Sequence, residues 1–327
     1  MKTALPLYYH PTAVCFVDDN YSFSQSLALT IPEDMHLTTF LSPDEALDIV
    51  NIPHPRPPLA DLCFSQEGNL IRLDLNVLEQ EIKHIDRFER ISVMLVDYAM
   101  PTMNGLEFCA QLTDRDVRRV LLTGVADEKT AVQAFNAGLI DHYLPKAKLS
   151  SPGGVVPYIL DQQQRYFQSY QSRLTKALGI ATPDFTQDPA FCEYFYQLID
   201  DNAIAEYYMV THPAGYLCLT NQGKSKQLVV QDSNTKAHNL RLMEEFSAPA
   251  KLIERVRGDA ALVCFFEHPA DYSGDEQFPW DEATFPVSVV NGRDRYLCCL
   301  VEEPPADIDF DPTESSYQKH LQQTLFN

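Results

Sequence analysis

The sequence predicts an α/β fold, a doubly wound parallel sheet at the front, joined by a linker helix to an α+β domain on an antiparallel sheet. Three observations lead there. Short apolar runs in the first half each end on a polar residue, segments of helical periodicity separate them, and after Pro183 the pattern turns to strands joined by tight turns.

Ala13–Val17 is apolar throughout and ends at Asp18 and Asp19, and Ile91–Val96 ends at Asp97. Val120–Leu122 ends at Thr123, and the run around His142–Leu144 ends beside Lys146. Runs without polar alternation suit a parallel sheet covered on both faces. Between them, Ser42 stands as an N-cap with Pro43 at the first helical position and Glu45 three residues past the cap, the pattern of a capping box. Leu106–Leu112 and Glu128–Gly138 read as two further helices, the second closed by its glycine. In such a sheet the functional crevice lies at the carboxyl ends of the strands. Every polar residue just named falls there.

Residues 51–90 interrupt the minimal pattern with a Pro-rich segment (Ile52–Pro58), a hairpin over Leu62–Leu73 and a helix over Asp74–Phe88. Leu75, Leu78, Ile82, Ile85 and Phe88 share one face of that helix, which reads as packed on the sheet rather than as a partner-docking surface. Val155–Leu178 is a long helix with a narrow stripe of Ile159, Phe167, Tyr170, Leu174 and Leu178, fit for a dimer seam or a docking face. Beyond it come a three-stranded meander (Glu206–Thr211, Tyr216–Thr220, Gln227–Val230), a helix over Leu240–Val256, and strands over Ala260–Glu267, Phe285–Val290 and Tyr296–Val301. The boundaries are thus 11–150 for the sheet domain with its insertion, 151–180 for the linker, 181–303 for the α+β domain and 304–327 for a tail over the surface.

Composition excludes several classes. The chain has 327 residues, 45% hydrophobic and 22% charged, enough for two globular domains. Net charge is −21, and residues 181–327 hold 10 Lys and Arg against 24 Asp and Glu, or −14, a field that repels nucleic-acid phosphates. No run approaches the ~18 apolar residues of a membrane helix. The first residues lack the apolar stretch of a secretory signal, which points to a cytoplasmic protein. The eight scattered cysteines read as small buried hydrophobes, with no CxxC pair to suggest zinc.

Phosphoryl transfer to a carboxylate needs a nucleophile, a divalent cation and groups that hold the product. Asp18, Asp19 and Asp97 on adjacent strand ends converge, and three carboxylates so close call for a hard cation, Mg²⁺ being the natural one. Thr123 offers a hydroxyl, Gly124 leaves room beside it, and Lys146 supplies a point charge.

The segments FVDDN, LVDYAMPTMNGLEF, LLTGVADEKTAVQAFNAG and HYLPK resemble the receiver domain of two-component response regulators over about residues 13–149, apart from the insertion. The resemblance implies a five-stranded sheet. It makes Asp97 the phosphoacceptor, Asp18 and Asp19 the metal-binding pair, the Ala99 main-chain carbonyl a further ligand, Thr123 and Lys146 the switch hydroxyl and amine, and Tyr143 the rotating aromatic. Pro101 and Gly105 fit the loop after the phosphoacceptor. It also implies a sensor histidine kinase or phosphotransfer protein as partner, with autophosphotransfer and autodephosphorylation as the only catalysis in that domain; a homodimer is expected beside it from the linker stripe and the output reading. In one respect the chain departs from the family pattern: Pro145 precedes Lys146 and Ala147 follows, where proline usually follows the lysine.

The back half shows no DNA-recognition helix and no cyclic-dinucleotide signature. In layout the whole chain is similar to quorum-sensing response regulators of the Lqs type. Two readings of this output domain stand: a non-catalytic module acting through dimerisation or a protein partner, or a small-ligand or nucleotide-binding domain in which Asn221–Lys226 would contact an anion.

Overall fold

The computed structural model describes residues 4–57, 62, 64–67, 70–73, 77, 80–124, 128–150, 154–178, 184–272, 278–304 and 310–324. Its chain falls into two units, one made of 10–58, 85–173 and 320–327, the other of 1–9, 59–84 and 174–319. Strand β1 (Tyr8–Tyr9) belongs to the second. The first contains β2 (Ala13–Val17), α1 (Tyr21–Ala28), β3 (Leu37–Phe40) and α2 (Pro43–Val50). After a hairpin of β4 (Phe64–Glu67) and β5 (Leu70–Leu73), counted in the second unit, it resumes with β6 (Ile91–Asp97), α3 (Gly105–Gln111), β7 (Arg118–Thr123), α4 (Glu128–Asn136) and β8 (His142–Pro145). Helix α5 (Val156–Leu178) follows.

The five strands of this unit run parallel in the order β3-β2-β6-β7-β8. Their apolar runs are explained by cover on both faces. Cys15, Val17, Met94, Val96 and Leu121 pack with Leu47 of α2, Phe108 of α3 and Ala131 of α4. The alternate residues Val14, Phe16, Val93, Leu95 and Val120 pack with Leu27 of α1 and Ile159 of α5. A strand buried on both sides has no solvent face on which to place polar residues. Helix α1 and strand β3 escape the sequence pattern because α1 carries few apolar positions and two of the four residues of β3 are threonines; Asn20 starts α1 by accepting the Phe23 amide.

The insertion differs from the single helix predicted over Asp74–Phe88. Leu75 and Leu78 lie outside the described residues, and Glu81–Lys83 and Ile85–Glu89 are short 3₁₀ turns separated by an extended His84. Buried Ile82 and Phe88 fall in different units, so no one helical face serves both. On α5, Ile159, Tyr166 and Phe167 are buried, which makes the front of the stripe part of a core. The side chains of Tyr170, Leu174 and Leu178 lie outside the described residues.

The second unit holds a six-stranded antiparallel sheet in the order β1-β9-β10-β11-β15-β14. Its elements are α6 (Pro189–Asp201), β9 (Ile204–Thr211), β10 (Ala214–Thr220), β11 (Ser225–Gln231), α7 (Ser233–Glu245), α8 (Ala250–Arg257), β12 (Leu262–Val263), β13 (Thr284–Phe285), β14 (Ser288–Asn291) and β15 (Arg295–Glu302). The meander is as predicted. The single helix over Leu240–Val256 is not: it breaks where Ser247 takes a φ of 56° and Pro249, which has no amide hydrogen to donate, caps the next helix. Of the strand predicted over Ala260–Glu267 only β12 pairs.

Helix α6 was hidden because its start uses turn residues. Asp188 accepts the Ala190 amide as N-cap and Pro189 occupies the first helical position. Its Phe191 and Phe195 are buried, and Phe195 meets Tyr207 of β9 edge-on at 4.9 Å, so these rings are core.

The predicted surface tail is also corrected. Helices α9 (Pro312–Ser315) and α10 (Tyr317–Thr324) form there, and His320 is buried, its Nε2 lying 3.1 Å from His36 Nδ1 and its ring against Phe88. All seven described cysteines are free and buried, while Cys63 lies outside the described residues. Among the described residues no helix is long and apolar enough to cross a membrane.

Candidate functional site

Side-chain direction at the strand ends follows from the register. Asp18 directly follows β2, Asp97 closes the neighbouring β6, and Thr123 closes β7, whose Leu122 pairs with Asp97. Parallel neighbours place their last residues side by side, so residues distant in sequence meet. The carboxylates of Asp18, Asp19 and Asp97 each bring an oxygen within 4.8 Å of the others. Asp18 and Asp97 are buried, whereas Asp19 is exposed.

Lys146 joins this group from the end of β8. Its Nζ lies 2.7 Å from Asp18 Oδ2 and 2.9 Å from Asp97 Oδ1, and it stands 4.6 Å from the centroid of the Phe23 ring. The amine therefore reaches both carboxylates even though Ala147, not proline, follows it. Burial disfavours its charge, but the bonds and attraction from Asp18 and Asp97 outweigh that and raise its pKa. Asp97 shifts upward as well. Desolvation is the main cause and Asp18 adds to it, against the hydrogen bond from Lys146 and the Ala99 amide.

Of the other candidate residues, Thr123 is buried beside this cluster in sheet order, with Pro145 as its β8 partner. Tyr143 sits mid-strand on β8, half-buried, its ring edge-on to Phe135 at 6.4 Å. Ala99 is exposed, and its N–H donates to the Asp97 carboxylate.

Two contributors were missed from sequence. Asn20 donates its backbone N–H to Asp18 Oδ1 at 2.9 Å, which orients that carboxylate; the Asp-Asp-Asn run at a strand-to-helix turn was the available signal. Phe23, on the first turn of α1, faces the lysine. No local sequence signal announced it.

An all-oxygen donor set of this size fits a hard divalent cation such as Mg²⁺ better than a soft metal. One lysine against three carboxylates leaves net negative charge in the crevice, which favours binding such a cation.

The loop after β6 returns tightly under this cluster. Gly105 N–H donates to Tyr98 O at 2.9 Å, and a Cβ at position 105 would stand 2.3 Å from Asp97 O and 2.7 Å from Leu121 Cδ1. The first contact is with backbone, which cannot rotate away. Gly105→Ala is therefore expected to destabilise the unit by about 1–3 kcal/mol and to displace the strand end that carries Asp97. A urea midpoint equal to that of the unsubstituted protein would contradict this.

The Asn221–Lys226 turn does not present an open anion site. Gly223 takes a φ of 78° and packs on Pro312, Asn221 O accepts the Gln318 amide, and Lys226 Nζ binds Asn202 Oδ1 at 3.1 Å and Glu302 Oε1 at 2.7 Å.

Comparison with known proteins bears on this arrangement. Residues 75–149 match the family described as the response regulator receiver domain. A stretch of 56 residues is 43% identical to the cyclic di-GMP phosphodiesterase response regulator RpfG of Xanthomonas campestris pv. campestris (strain 8004), covering 16% of this chain. The match spans only 15% of that relative's length. The solved structure of the Legionella pneumophila response regulator LqsR superposes with a TM-score of 0.82 at 27% identity, covering 99% of this chain and 97% of that one.

Proposed function

We propose that this chain, which carries a response-regulator receiver domain, is a phosphorylation-controlled signalling protein whose phosphoacceptor is Asp97. The observation that carries the reading is one amine, Lys146, within 3 Å of two carboxylates that close neighbouring strands. A histidine kinase or phosphotransfer protein is the partner that a receiver domain implies.

In the proposed step an Asp97 carboxylate oxygen attacks the phosphorus of a phosphohistidine. The P–N bond breaks, its electron pair stays on the imidazole, which takes up a proton, and an acyl phosphate forms on Asp97. Lys146 then pairs with the new phosphoryl oxygens, releasing its contact with the carboxylate, and Thr123 offers its hydroxyl as a donor. Tyr143, the rotating aromatic of this reading, would follow the Thr123 movement. Mg²⁺ held by Asp18, Asp19, Asp97 and the Ala99 carbonyl would neutralise charge on the phosphoryl group.

For the antiparallel-sheet unit, the reading is a non-enzymatic output that works through homodimerisation or a protein partner, without binding DNA, in a cytoplasmic protein. The −14 charge of residues 181–327 and the occupied Asn221–Lys226 turn support it over nucleic acid or nucleotide binding. The Lqs-type layout read in the sequence, together with the likeness to LqsR over nearly the whole chain, supports quorum sensing as the process regulated.

Intact-mass measurement after incubation with acetyl phosphate and Mg²⁺ tests the proposal. One added phosphoryl group per chain is expected, and none when Mg²⁺ is chelated. An unchanged mass with Mg²⁺ present would remove Asp97 as a phosphoacceptor.

A further inference from the structure

The antiparallel-sheet unit has a groove of about 310 Å³ walled by Phe246, Pro249, Pro269, Tyr272, Phe278 and Trp280. Its rings form a row. Trp280 meets Phe278 edge-on at 4.7 Å, and Phe278 meets Tyr272 edge-on at 5.2 Å. The row is held from behind, where Phe265 touches both Trp280 and Phe278 above a core of Met243, Leu252 and Val256. Pro249 and Pro269 start the elements on the other side and have fixed φ, so the walls are formed before anything binds.

Polar groups narrow the choice of occupant. The Trp280 backbone is spent, its N–H on Phe278 O and its O on the Thr284 hydroxyl, but its indole N–H makes no hydrogen bond among the described residues. That donor seeks a carbonyl oxygen. Exposed carboxylates adjoin the wall residues: Glu245 before Phe246, Asp271 before Tyr272, and Asp281 and Glu282 after Trp280. Glu244 is neutralised by Arg257, and Glu267 accepts the Tyr272 hydroxyl at 2.5 Å. The rim is therefore acidic.

A groove near the small end of the ~300–1,000 Å³ range of ligand sites holds two or three side chains rather than a whole helix face. Flat rings, a free indole donor and an acidic rim together suit an extended strand with apolar rings, outward carbonyls, few amide hydrogens to leave unpaired, and a positive charge. We propose that this groove binds a proline-rich peptide carrying a basic residue, seated as a polyproline II helix with a backbone carbonyl on the Trp280 indole N–H. An anionic membrane surface is disfavoured by the carboxylates, and an amphipathic helix by the groove's size.

Trp280 is the single tryptophan of the chain, so emission excited selectively at tryptophan rather than at the 16 tyrosines reports this groove. Titrating the full-length protein with the nonapeptide RPPPRPPPR is expected to shift that emission saturably below about 1 mM peptide. RAAARAAAR and EPPPEPPPE should each bind at least about tenfold more weakly. With fluorescein-labelled RPPPRPPPR read by anisotropy, Trp280→Phe, which keeps a ring and loses the donor, should weaken binding about fivefold, the worth of one ordinary hydrogen bond. Tyr272→Ala, at a half-exposed position, gives an independent variant expected to weaken it about tenfold. Emission unmoved by the proline peptide, an equal response to RAAARAAAR, or unchanged affinity in a folded Tyr272→Ala protein would overturn the proposal. So would an emission change on raising protein concentration alone, which would put a second copy of the chain in the groove.

Discussion

Asp97→Asn is expected to abolish phosphoryl uptake from acetyl phosphate and Mg²⁺ while making the protein more stable in the absence of metal. Loss of uptake follows from chemistry: an amide cannot form the acyl phosphate. The gain in stability follows from the direction of the Asp97 shift. Burial, with Asp18 adding to it, raises the carboxyl pKa above its ordinary value, so folding penalises the ionised form at neutral pH. A neutral amide removes that penalty and leaves the Lys146–Asp18 pair at 2.7 Å in place. The melting temperature should therefore rise in chelator, and the advantage should shrink when Mg²⁺ is added to both proteins, since a cation bound by the three carboxylates would stabilise that form. If the asparagine variant still gained one phosphoryl group, the acceptor would be another carboxylate of the cluster.

Mild acid should destabilise the parallel-sheet unit strongly. His10 and His320 are both buried, and burial pushes their pKa down to about 3 and about 4. His36 is lowered for the same main reason, although Glu89 and a hydrogen bond to Phe88 oppose it. The charged neighbours reinforce the effect. Arg87, Arg90 and His54 face His10, while His36 and Arg87 face His320. A histidine whose folded pKa is depressed is neutral in the native state and binds a proton on unfolding, so stability is lost as pH falls below the unfolded value near 6.5.

At about 1.4 kcal/mol per pH unit for each group, pH 5 costs about 2 kcal/mol for His10 and about 2 kcal/mol for His320. The His320 contribution levels off near pH 4 and that of His10 near pH 3. Urea midpoints measured between pH 7 and pH 5 should show this slope, and His320→Gln, which cannot charge, should remove about half of it. A flat profile over that window would mean that neither ring is neutral and sequestered in the folded protein.

How much of this was legible in the chain depended on whether a local rule had one meaning. The apolar runs ending at Asp18, Asp97, Thr123 and Lys146 identified four strands and their functional ends, because a strand covered on both faces leaves little room for another reading. The N-cap at Ser42 and the glycine at 138 marked helix ends for equally local reasons. Where one signal served two structures, the sequence misled. Asp188-Pro189 starts a helix with the residues that also start turns, and the apolar positions of 74–88 suggested one helix although the described part is two short turns.

By itself, then, the sequence determined which polar residues stand at the strand ends as candidates for the chemistry, since oxygen donors, hydroxyl and amine at strand termini are properties of composition and order. Only the tertiary structure decided their distances and charges. The Lys146 contacts at 2.7 and 2.9 Å, the upward shift of Asp97 and the burial of His320 arise from segments far apart in the chain packing together, and no local pattern encodes which distant groups will share a region emptied of water.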